Sequence, residues 1–299
     1  MALLGERVLL IANPGSRGGE RLVKPAREAF ALAGVDVDVL ITEAPGHGGR
    51  AARDLAEEYD LIFTLGGDGT AMEVVHALSG TNRSVGILPG GTGNLLARVL
   101  HIPLDVRRAV PALLNGTRKR IDLGVLADGR RFAVAAGAGV DAEMVSTAPL
   151  DMRRRYGVAA YILTATKALW RMKPFAVRAA VDGRVIERDD CVAAMIVNVG
   201  DVLGRLIELG PEIAYDDGQL DLVLLSARSF ADAARLGVRI LSRNYRQDRH
   251  MAYGRGRRIA LETDPPRLAQ ADGELLGKTP LVATVESLAA PLLVPRRDD

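Results

Sequence analysis

The first part of the chain alternates between short apolar runs and longer segments with helical spacing. Four apolar runs have the length of buried strands: Arg7–Ala12, Val35–Thr42, Asp60–Leu65 and Ser84–Leu88. The segments between them place apolar residues on one helical face: Glu20–Ala33, Gly48–Glu58 and Ala71–Leu78. A further helix is expected to start near Leu95. This alternation predicts βα units that form a doubly wound α/β domain around a parallel sheet.

The rest of the chain has a different pattern, in which strand-like runs are separated by Asp-Gly pairs. Such pairs favour tight turns between antiparallel strands. The predicted strands are Arg120–Leu126, Arg131–Ala136, Phe175–Val181, Cys191–Val199, Gln219–Leu225, Arg258–Glu262, Arg267–Ala271 and Leu281–Val285. Two helices are predicted among them, Tyr156–Arg171 and Phe230–Leu241. We therefore place an α/β domain at 1–125 and a mostly antiparallel β domain at 126–286, and the tail 287–299 is a candidate to join the first domain.

Composition narrows the class of protein. Aromatic residues make up only 4% of the 299 residues, so the core must consist mainly of Ala, Val, Leu and Ile. The net charge of +2 does not indicate a nucleic-acid partner. Cys191 is the only cysteine and has no internal disulfide partner, which favours a reducing compartment. With no apolar run of about 20 residues and no secretory pattern at Met1, we expect a cytoplasmic protein.

Two glycine clusters follow consecutive strands of the predicted parallel sheet. They are Gly66–Thr70 (GGDGT) and Pro89–Asn94 (PGGTGN). Ligands of open α/β sheets bind beyond the carboxyl ends of the strands. Glycines let the backbone N–H groups approach a phosphate closely, and a helix beginning at Thr70 would direct its positive end to the same place. The two clusters together therefore predict a phosphate-binding site.

An ordinary structural role remains open for the first cluster. Thr70 and Glu73 have the spacing of a helix capping box, which would explain both residues without a ligand. The sequence contains neither a P-loop motif nor a dinucleotide-binding glycine motif after the first strand. The capping box does not explain Asp68. A carboxylate among phosphate-binding amides would repel ATP unless a cation lay between them, so Asp68 indicates a bound cation.

The order of these motifs resembles the diacylglycerol kinase and sphingosine kinase superfamily, and most of all the bacterial diacylglycerol/lipid kinases. The GGDGT and PGGTGN clusters are supported by four further segments in the same order: Asn13–Ser16, Ile121–Gly124, Asp216–Gly218 and Asp272–Glu274. The resemblance covers essentially the whole chain. It implies an N-terminal domain like those of NAD kinases and phosphofructokinases, a C-terminal β-sandwich, and ATP bound between the two domains.

The resemblance also implies a set of nucleotide-binding residues. In the family, the loop after the first strand and the two glycine clusters hold the phosphates, and Thr42 borders the adenine or ribose. Asp68 would organise Mg²⁺ directly or through water. The corresponding residues here are Asn13, Pro14, Gly15, Ser16, Arg17, Thr42, Gly66, Gly67, Asp68, Gly69, Thr70, Ala71, Met72, Gly91, Thr92, Gly93 and Asn94.

Two acidic segments near the C-terminus read as turns from the sequence alone, and the resemblance gives each a further role. Asp272 or Glu274 would accept the proton of a lipid hydroxyl, and the sequence does not choose between them. The Asp217 carboxylate and the backbone carbonyls of Ala214 and Gln219 would hold a second, structural Mg²⁺ or Ca²⁺.

The chain departs from the family pattern at two places. Met72 stands where the family usually has Asn, so one polar contact near the phosphates is expected to be absent. The glycine-rich run of the acceptor region is reduced to Gly200 and Gly204, and in the family this region faces the lipid.

A lipid substrate requires contact with a membrane surface. The basic amphipathic segment Arg153–Arg171, which includes Trp170, is a candidate for lying on an anionic leaflet. A second basic cluster comprises Arg243, Arg246, Arg249, Arg255, Arg257 and Arg258. Both have an ordinary alternative as solvated charged surface. A homodimer is left open.

Three functions compete at this point. We favour an ATP-dependent diacylglycerol/lipid kinase of phospholipid metabolism. A NAD kinase is the nearest alternative, but PGGTGN and the Asp272–Glu274 segment count against it. A nucleotide-binding regulatory protein without catalysis is the third, supported only by Met72 and the reduced glycine run.

Overall fold

The computed structural model describes residues 6–16, 18–139, 174–202 and 207–296. The chain divides into two compact units. The N-terminal unit contains Met1–Asp122 and Ser287–Asp299, and the C-terminal unit contains Leu123–Glu286. Strands β5 and β17, defined below, contribute residues to both units.

The N-terminal unit contains alternating strands and helices. Its strands are β1 (Val8–Ala12), β2 (Val37–Ile41), β3 (Leu61–Gly66) and β4 (Ser84–Pro89). Its helices are α1 (Gly19–Leu32), α2 (His47–Asp54), α3 (Asp68–Ala77), α4 (Leu95–Val99) and α5 (Val106–Leu114). Every residue of β1, β3 and β4 is buried, as expected of parallel strands covered by helices on both faces.

The parallel sheet of this unit has the strand order β2-β1-β3-β4. Ala12 is paired with both Ile41 and Leu65, so these three strands end level with one another. The chain runs outward in one direction from β1 to β2 and in the other direction from β3 to β4. The order therefore reverses between β1 and β3, and such a reversal opens a crevice at the carboxyl ends of the strands.

The C-terminal unit is built mainly from antiparallel strands. The strands from β5 onward are β5 (Thr117–Leu126), β6 (Arg131–Phe132), β7 (Ala135–Gly139), β8 (Phe175–Val181), β9 (Arg184–Val197), β10 (Asp201–Val202), β11 (Ile207–Glu208), β12 (Leu220–Ser226), β13 (Met251–Gly256), β14 (Arg258–Asp264), β15 (Leu268–Ala271), β16 (Glu274–Lys278) and β17 (Leu281–Val294). One helix, α6 (Phe230–Leu241), is described in this unit.

The strands of the C-terminal unit pair in the order β16-β15-β7-β9-β8-β14-β17, and β12 pairs with both β9 and β13. Their inward side chains form an apolar core that includes Phe132, Phe175, Ile196 and Leu222. The α/β fold and the antiparallel β domain are thus confirmed. The predicted helix Tyr156–Arg171 lies outside the described residues. Within the described part of the chain, none of the helices is long and apolar enough to cross a bilayer.

Candidate active site

The loops that follow β1, β3 and β4 lie at the carboxyl ends of adjacent parallel strands, where the strand order reverses. Asn13 directly follows β1 and connects this loop to β3, because its backbone N–H donates to the Leu65 carbonyl at 2.9 Å. Its side chain makes two further bonds. Nδ2 donates to Thr70 Oγ1 at 2.9 Å, and Oδ1 accepts from the Gly15 N–H at 2.9 Å. Asn13 therefore joins the β1 loop to helix α3.

The rest of the β1 loop is shaped by a close approach at Gly19. Ser16 Oγ donates to the Asn13 carbonyl at 2.8 Å, and a Cβ added at Gly19 would overlap the same carbonyl oxygen. Pro14 and Gly15 are exposed, so the outer part of the loop is available to a ligand. Arg17 lies outside the described residues.

The two glycine clusters are in direct backbone contact. The Gly90 N–H donates to the Gly66 carbonyl at 2.7 Å, and a Cβ added at Gly91 would lie 2.5 Å from the Gly67 Cα. Asn94 closes the second cluster, since its Oδ1 accepts from the Gly91 N–H at 2.9 Å and its Nδ2 donates to the Gly91 carbonyl at 3.0 Å. Only glycine allows the two loops to lie this close.

Helix α3 begins earlier than the sequence suggests, and the capping-box interpretation of Thr70 is wrong. The helix starts at Asp68 after the extended residue Gly67, so Thr70 lies within its first turn. The Thr70 hydroxyl accepts from Asn13, while Glu73 Oε1 accepts from the Gly46 N–H at 2.9 Å. The positive end of α3 therefore lies at the glycine cluster itself.

The partner of Glu73 was missed by sequence reasoning. Gly46 is the residue that precedes α2, and it has a left-handed φ of 75°. The carboxylate of Glu73 thus lies at the N-terminus of α2, where its negative charge is stabilised by the helix dipole. The pair Gly48-Gly49 is the only sequence signal for this approach, because both residues would place a Cβ against Glu73.

Asp68 is half-buried at the start of α3, where it faces the second glycine cluster. A Cβ added at Gly93 would lie 2.7 Å from Asp68 Oδ2, and the Leu96 N–H is 3.4 Å from Oδ1. Burial raises the pKa of Asp68, and backbone N–H groups of Leu96, Leu95 and Asn94 act in the opposite direction. A partly buried carboxylate with a long hydrogen bond suits a cation as a further partner.

The remaining predicted nucleotide residues are distributed over the same loops. Ala71 is buried on the inner face of α3, whereas Gly69 and Met72 are half-buried on the same helix. Thr42 follows β2 and is buried, and its N–H donates to the Ala12 carbonyl at 2.9 Å. Thr92 is half-buried in the second glycine cluster. The structure thus brings the loops after β1, β3 and β4 together, with Thr42 at the end of the neighbouring strand β2.

Asp272 and Gly273 form the two-residue turn between β15 and β16, as their sequence pattern indicates. Both have positive φ, 46° and 89°, which is typical of a tight hairpin turn. The Asp272 carboxylate accepts three backbone N–H bonds, from Ala133 at 2.6 Å, Val134 at 2.9 Å and Ala135 at 3.0 Å. Asp272 therefore ties the hairpin to the segment between β6 and β7.

Further bonds hold the same bend. Asn198 is fully buried, and its Nδ2 donates to the Ala133 carbonyl at 2.8 Å. Gln270 Oε1 accepts from the Gly273 N–H at 2.8 Å. Sequence reasoning identified neither of these side chains. Together they fix the turn that leads into Glu274.

Glu274 differs from Asp272 because it is exposed on β16. Its charge acts on Arg130: the pKa of Arg130 is raised first by the hydrogen bond to Asp128, and Glu274 adds a small effect in the same direction. An exposed carboxylate can reach a substrate hydroxyl without breaking the fold.

The predicted structural-metal segment is a turn before β12. Asp217 Oδ1 accepts from the Gln219 N–H at 3.0 Å, and Oδ2 lies 4.0 Å from Arg255 Nη1. A cation here would compete with Arg255, whose Nε also donates to Asp221 at 2.8 Å. Ala214 is half-buried. Among the described residues, no group of three or more His, Cys, Asp or Glu side chains is placed to hold a metal.

Comparison with known families matches both units. Residues 7–126 match the diacylglycerol kinase catalytic domain, and residues 134–294 match the YegS C-terminal NAD kinase beta sandwich-like domain. The chain therefore belongs to the lipid-kinase family that combines these two domains, as its motifs predict.

Individual relatives agree with this assignment. The chain is 29% identical to the diacylglycerol kinase of Bacillus subtilis strain 168, covering 92% of each chain. It is 26% identical to the diacylglycerol kinase of Staphylococcus saprophyticus, covering 92% of this chain and 91% of the relative. A crystal structure of a diacylglycerol kinase from Bacillus anthracis has the same fold, with a TM-score of 0.72 at 22% identity and 97% coverage of each chain.

Proposed function

We propose that this protein transfers the γ-phosphoryl group of ATP to the hydroxyl group of a diacylglycerol-like lipid in phospholipid metabolism. The observation that carries the proposal is the direct contact of the two glycine clusters beside Asp68. The positive end of α3, which carries the Asp68 carboxylate, lies at this contact. Such a surface suits a phosphate chain and its cation.

The phosphates would be held mainly by backbone N–H groups. The Gly67–Gly69 segment forms the first turn of α3, whose N–H groups have no partner within the helix. The Asn13 side chain is engaged by Thr70 and Gly15, and the Asn94 side chain by Gly91. Asn13 and Asn94 therefore shape their loops. The exposed backbone of Gly15 and the half-buried backbone of Gly67 and Gly69 would contact the nucleotide.

Asp68 would hold Mg²⁺ directly or through a water molecule. The bound cation would neutralise charge on the β- and γ-phosphates. Asp68 fits this role because it is half-buried, carries a negative charge within the first glycine cluster, and accepts only a long hydrogen bond of 3.4 Å from the Leu96 N–H.

We assign proton acceptance to Glu274 rather than Asp272. A general base needs an oxygen lone pair that is free to take a proton. Asp272 uses its carboxylate to accept three backbone N–H bonds, and a proton there would break at least one of them. Glu274 is exposed and has no such role in the fold.

The lipid hydroxyl oxygen forms a bond to the γ-phosphorus while the bond between that phosphorus and the β–γ bridging oxygen breaks. The hydroxyl proton passes to Glu274, and ADP leaves. The products are a phosphorylated lipid and ADP.

The test is a phosphorylation assay with purified full-length protein, Mg²⁺ and ATP. Diacylglycerol, a sphingoid base and NAD are offered in separate reactions, and the products are identified by mass spectrometry. We expect phosphorylated diacylglycerol, and we expect Asp68→Asn and Glu274→Gln to reduce its formation strongly. Phosphorylation of NAD alone would establish the NAD kinase alternative. ATP binding without any phosphorylated product would favour the regulatory one.

A further inference from the structure

Helix α6 presents an apolar stripe to solvent on the face opposite its packed side. Its inner residues Ala233 and Leu236 are buried against a small core that includes Met251. On the outer side, Phe230 is 59% exposed, Val238 is 66% exposed and Leu241 is 62% exposed. These three side chains, together with the exposed residue Ala234, form what we call the α6 stripe.

The spacing of the stripe shows that it is one continuous surface. Positions 230, 234, 238 and 241 are separated by intervals of four, four and three residues, which place them on one face of the helix. Single exposed apolar residues are common on protein surfaces. A row of them along one helix is not, and it marks a contact surface.

The stripe lies in a segment of the chain that is rich in arginine. Segment 228–249 contains six arginines and two aspartates. Two acidic residues from outside the segment also belong in the count, because Asp190 pairs with Arg228 and Glu208 pairs with Arg243. With them, the region has six positive and four negative charges. Arg235 borders the stripe and is 64% exposed, and its pairing with Asp232 at 3.8 Å is weak.

We propose that the α6 stripe is a membrane-contact surface that lies in the headgroup region of a bilayer containing anionic lipids. This inference rests on the proposed function, which requires a lipid substrate. An apolar helix face with arginines beside it is the pattern of interfacial helices, because arginine stems lie along the apolar boundary while their charges reach lipid phosphates.

The charges also argue against a second copy of this chain as the occupant. In a two-fold contact the same patch would meet itself. The arginines of the two copies would then be brought together, and like charges in close contact are destabilising. An anionic leaflet supplies the opposite sign.

The first test places a polarity-sensitive fluorophore on the stripe through Val238→Cys or Leu241→Cys. The natural Cys191 is fully buried, and burial raises the pKa of its thiol to about 11, so it does not compete for the label. Leu32→Cys is the control, because Leu32 is 90% exposed on α1 of the N-terminal unit. Full-length protein without nucleotide is mixed with phosphatidylglycerol vesicles or with phosphatidylcholine vesicles.

We expect the emission of both stripe labels to shift to shorter wavelength on phosphatidylglycerol vesicles, and that of the Leu32→Cys label to stay unchanged. The second test is the triple variant Phe230→Ser, Val238→Ser, Leu241→Ser. It should lose at least about tenfold in affinity for phosphatidylglycerol vesicles. Leu32→Ser should bind as the natural chain does.

The charges are tested separately by Arg235→Glu with Arg246→Glu, which should weaken binding most at low salt. Arg108→Glu, an exposed arginine of α5, is the matched control. An unshifted stripe label, or a triple serine variant with undiminished vesicle binding, would overturn the proposal. If the triple variant instead lowers the molecular mass in solution and leaves vesicle binding intact, the stripe joins two copies and the membrane proposal fails.

The two proposals fail in distinguishable ways. Vesicle binding is measured without ATP, so it does not depend on kinase chemistry. Phosphorylation of a detergent-dispersed, short-chain diacylglycerol does not require a bilayer, and the triple serine variant should retain it. If the natural chain does not phosphorylate this diacylglycerol, the result counts against the kinase function and not against the membrane-contact surface.

Discussion

Asp68 in the N-terminal unit and Asp272 in the C-terminal unit both lie beside glycines and both face backbone N–H groups. Asp68 Oδ1 is 3.4 Å from the Leu96 N–H, and burial raises the pKa of this carboxyl. Asp272 accepts three bonds of 2.6 to 3.0 Å. The first carboxylate is poorly compensated and suits a cation, whereas the second is saturated and stabilises a turn. The number and length of the N–H bonds distinguish a ligand from a structural anchor.

The largest expected effects on activity and stability are those of substitutions at Glu274 and Asp272. Glu274→Gln should lower kcat by about 10²- to 10⁴-fold, the usual contribution of a general base. Its free energy of unfolding should change by less than about 0.5 kcal/mol, because an exposed side chain makes few contacts. Asp272→Ala should instead destabilise the protein by about 3 kcal/mol, since three backbone donors lose their acceptor.

The measurements are steady-state kinetics and urea unfolding on both variants. The control for a general loss of charge is Glu286→Gln, because Glu286 is a half-exposed glutamate of the same unit. Full activity in Glu274→Gln would remove this residue from the mechanism. A stable Asp272→Ala protein would show that the bend between β6 and β7 does not depend on the carboxylate.

The second prediction distinguishes a glycine required by close packing from a glycine required by positive φ. In Gly91→Ala the new Cβ would lie 2.5 Å from the Gly67 Cα, and backbone atoms cannot move aside cheaply. We expect a loss of about 2 to 3 kcal/mol in unfolding free energy, as for overpacking, and weaker nucleotide binding. In Gly273→Ala nothing lies within 4 Å of the Cβ, and only the φ of 89° is unfavourable.

Gly273→Ala should therefore cost about 1 to 2 kcal/mol and leave nucleotide affinity unchanged. Gly129→Ala has the same open surroundings and a φ of 85°, so it should match Gly273→Ala. Isothermal calorimetry with Mg-ATP and urea unfolding distinguish the two kinds of site. Equal nucleotide affinity in all three variants would contradict a phosphate-binding role for the glycine contact.

The periodic parts of the chain could be predicted from sequence because their signals are local. The strands β1, β3 and β4 and the helix Phe230–Leu241 follow from apolar spacing alone. The glycine clusters were also located, since each directly follows a buried strand. These features depend on neighbours a few residues apart.

Contacts between distant segments were not predictable in the same way. Asp272 binds N–H groups that lie 137 to 139 residues away, and nothing in the Asp-Gly-Glu sequence marks them. Thr70 was misinterpreted because its spacing to Glu73 fits a local cap. In the structure, Thr70 is hydrogen-bonded to Asn13, and Glu73 is hydrogen-bonded to Gly46. These partners come close only because the loops pack together.

A third effect concerns the stability of the nucleotide-free protein. Burial raises the pKa of Asp68 above its ordinary value of 3.8, so the folded protein binds this proton more tightly than the unfolded chain does. The contribution of Asp68 to the free energy of unfolding therefore falls as the pH rises from 3.8, its ordinary pKa, through its raised pKa in the folded protein. Asp68→Asn should be more stable than the natural chain at pH 7, and the difference should shrink on acidification.

This stability difference is measured by thermal unfolding with a chelator present. Addition of Mg-ATP should then stabilise the natural chain and leave Asp68→Asn nearly unchanged, because only the former binds the complex. A lower unfolding temperature for Asp68→Asn at pH 7 would show that this carboxylate is already well compensated in the folded protein.

The smallest effect is expected at the turn before β12, where a second metal was predicted. Asp217 resembles Asp272 in supporting its own turn, through Gln219, but its other oxygen lies near Arg255. Asp217→Asn keeps an oxygen acceptor for the Gln219 N–H, so unfolding free energy without metal should change by about 0.5 kcal/mol or less. If a cation binds here, Ca²⁺ or Mg²⁺ should raise the unfolding temperature of the natural chain and of Asp216→Asn, but not of Asp217→Asn. An equal response in all three proteins would assign Asp217 to the turn and to Arg255 alone. Asp68 would then be the one carboxylate for which we propose a cation-binding role.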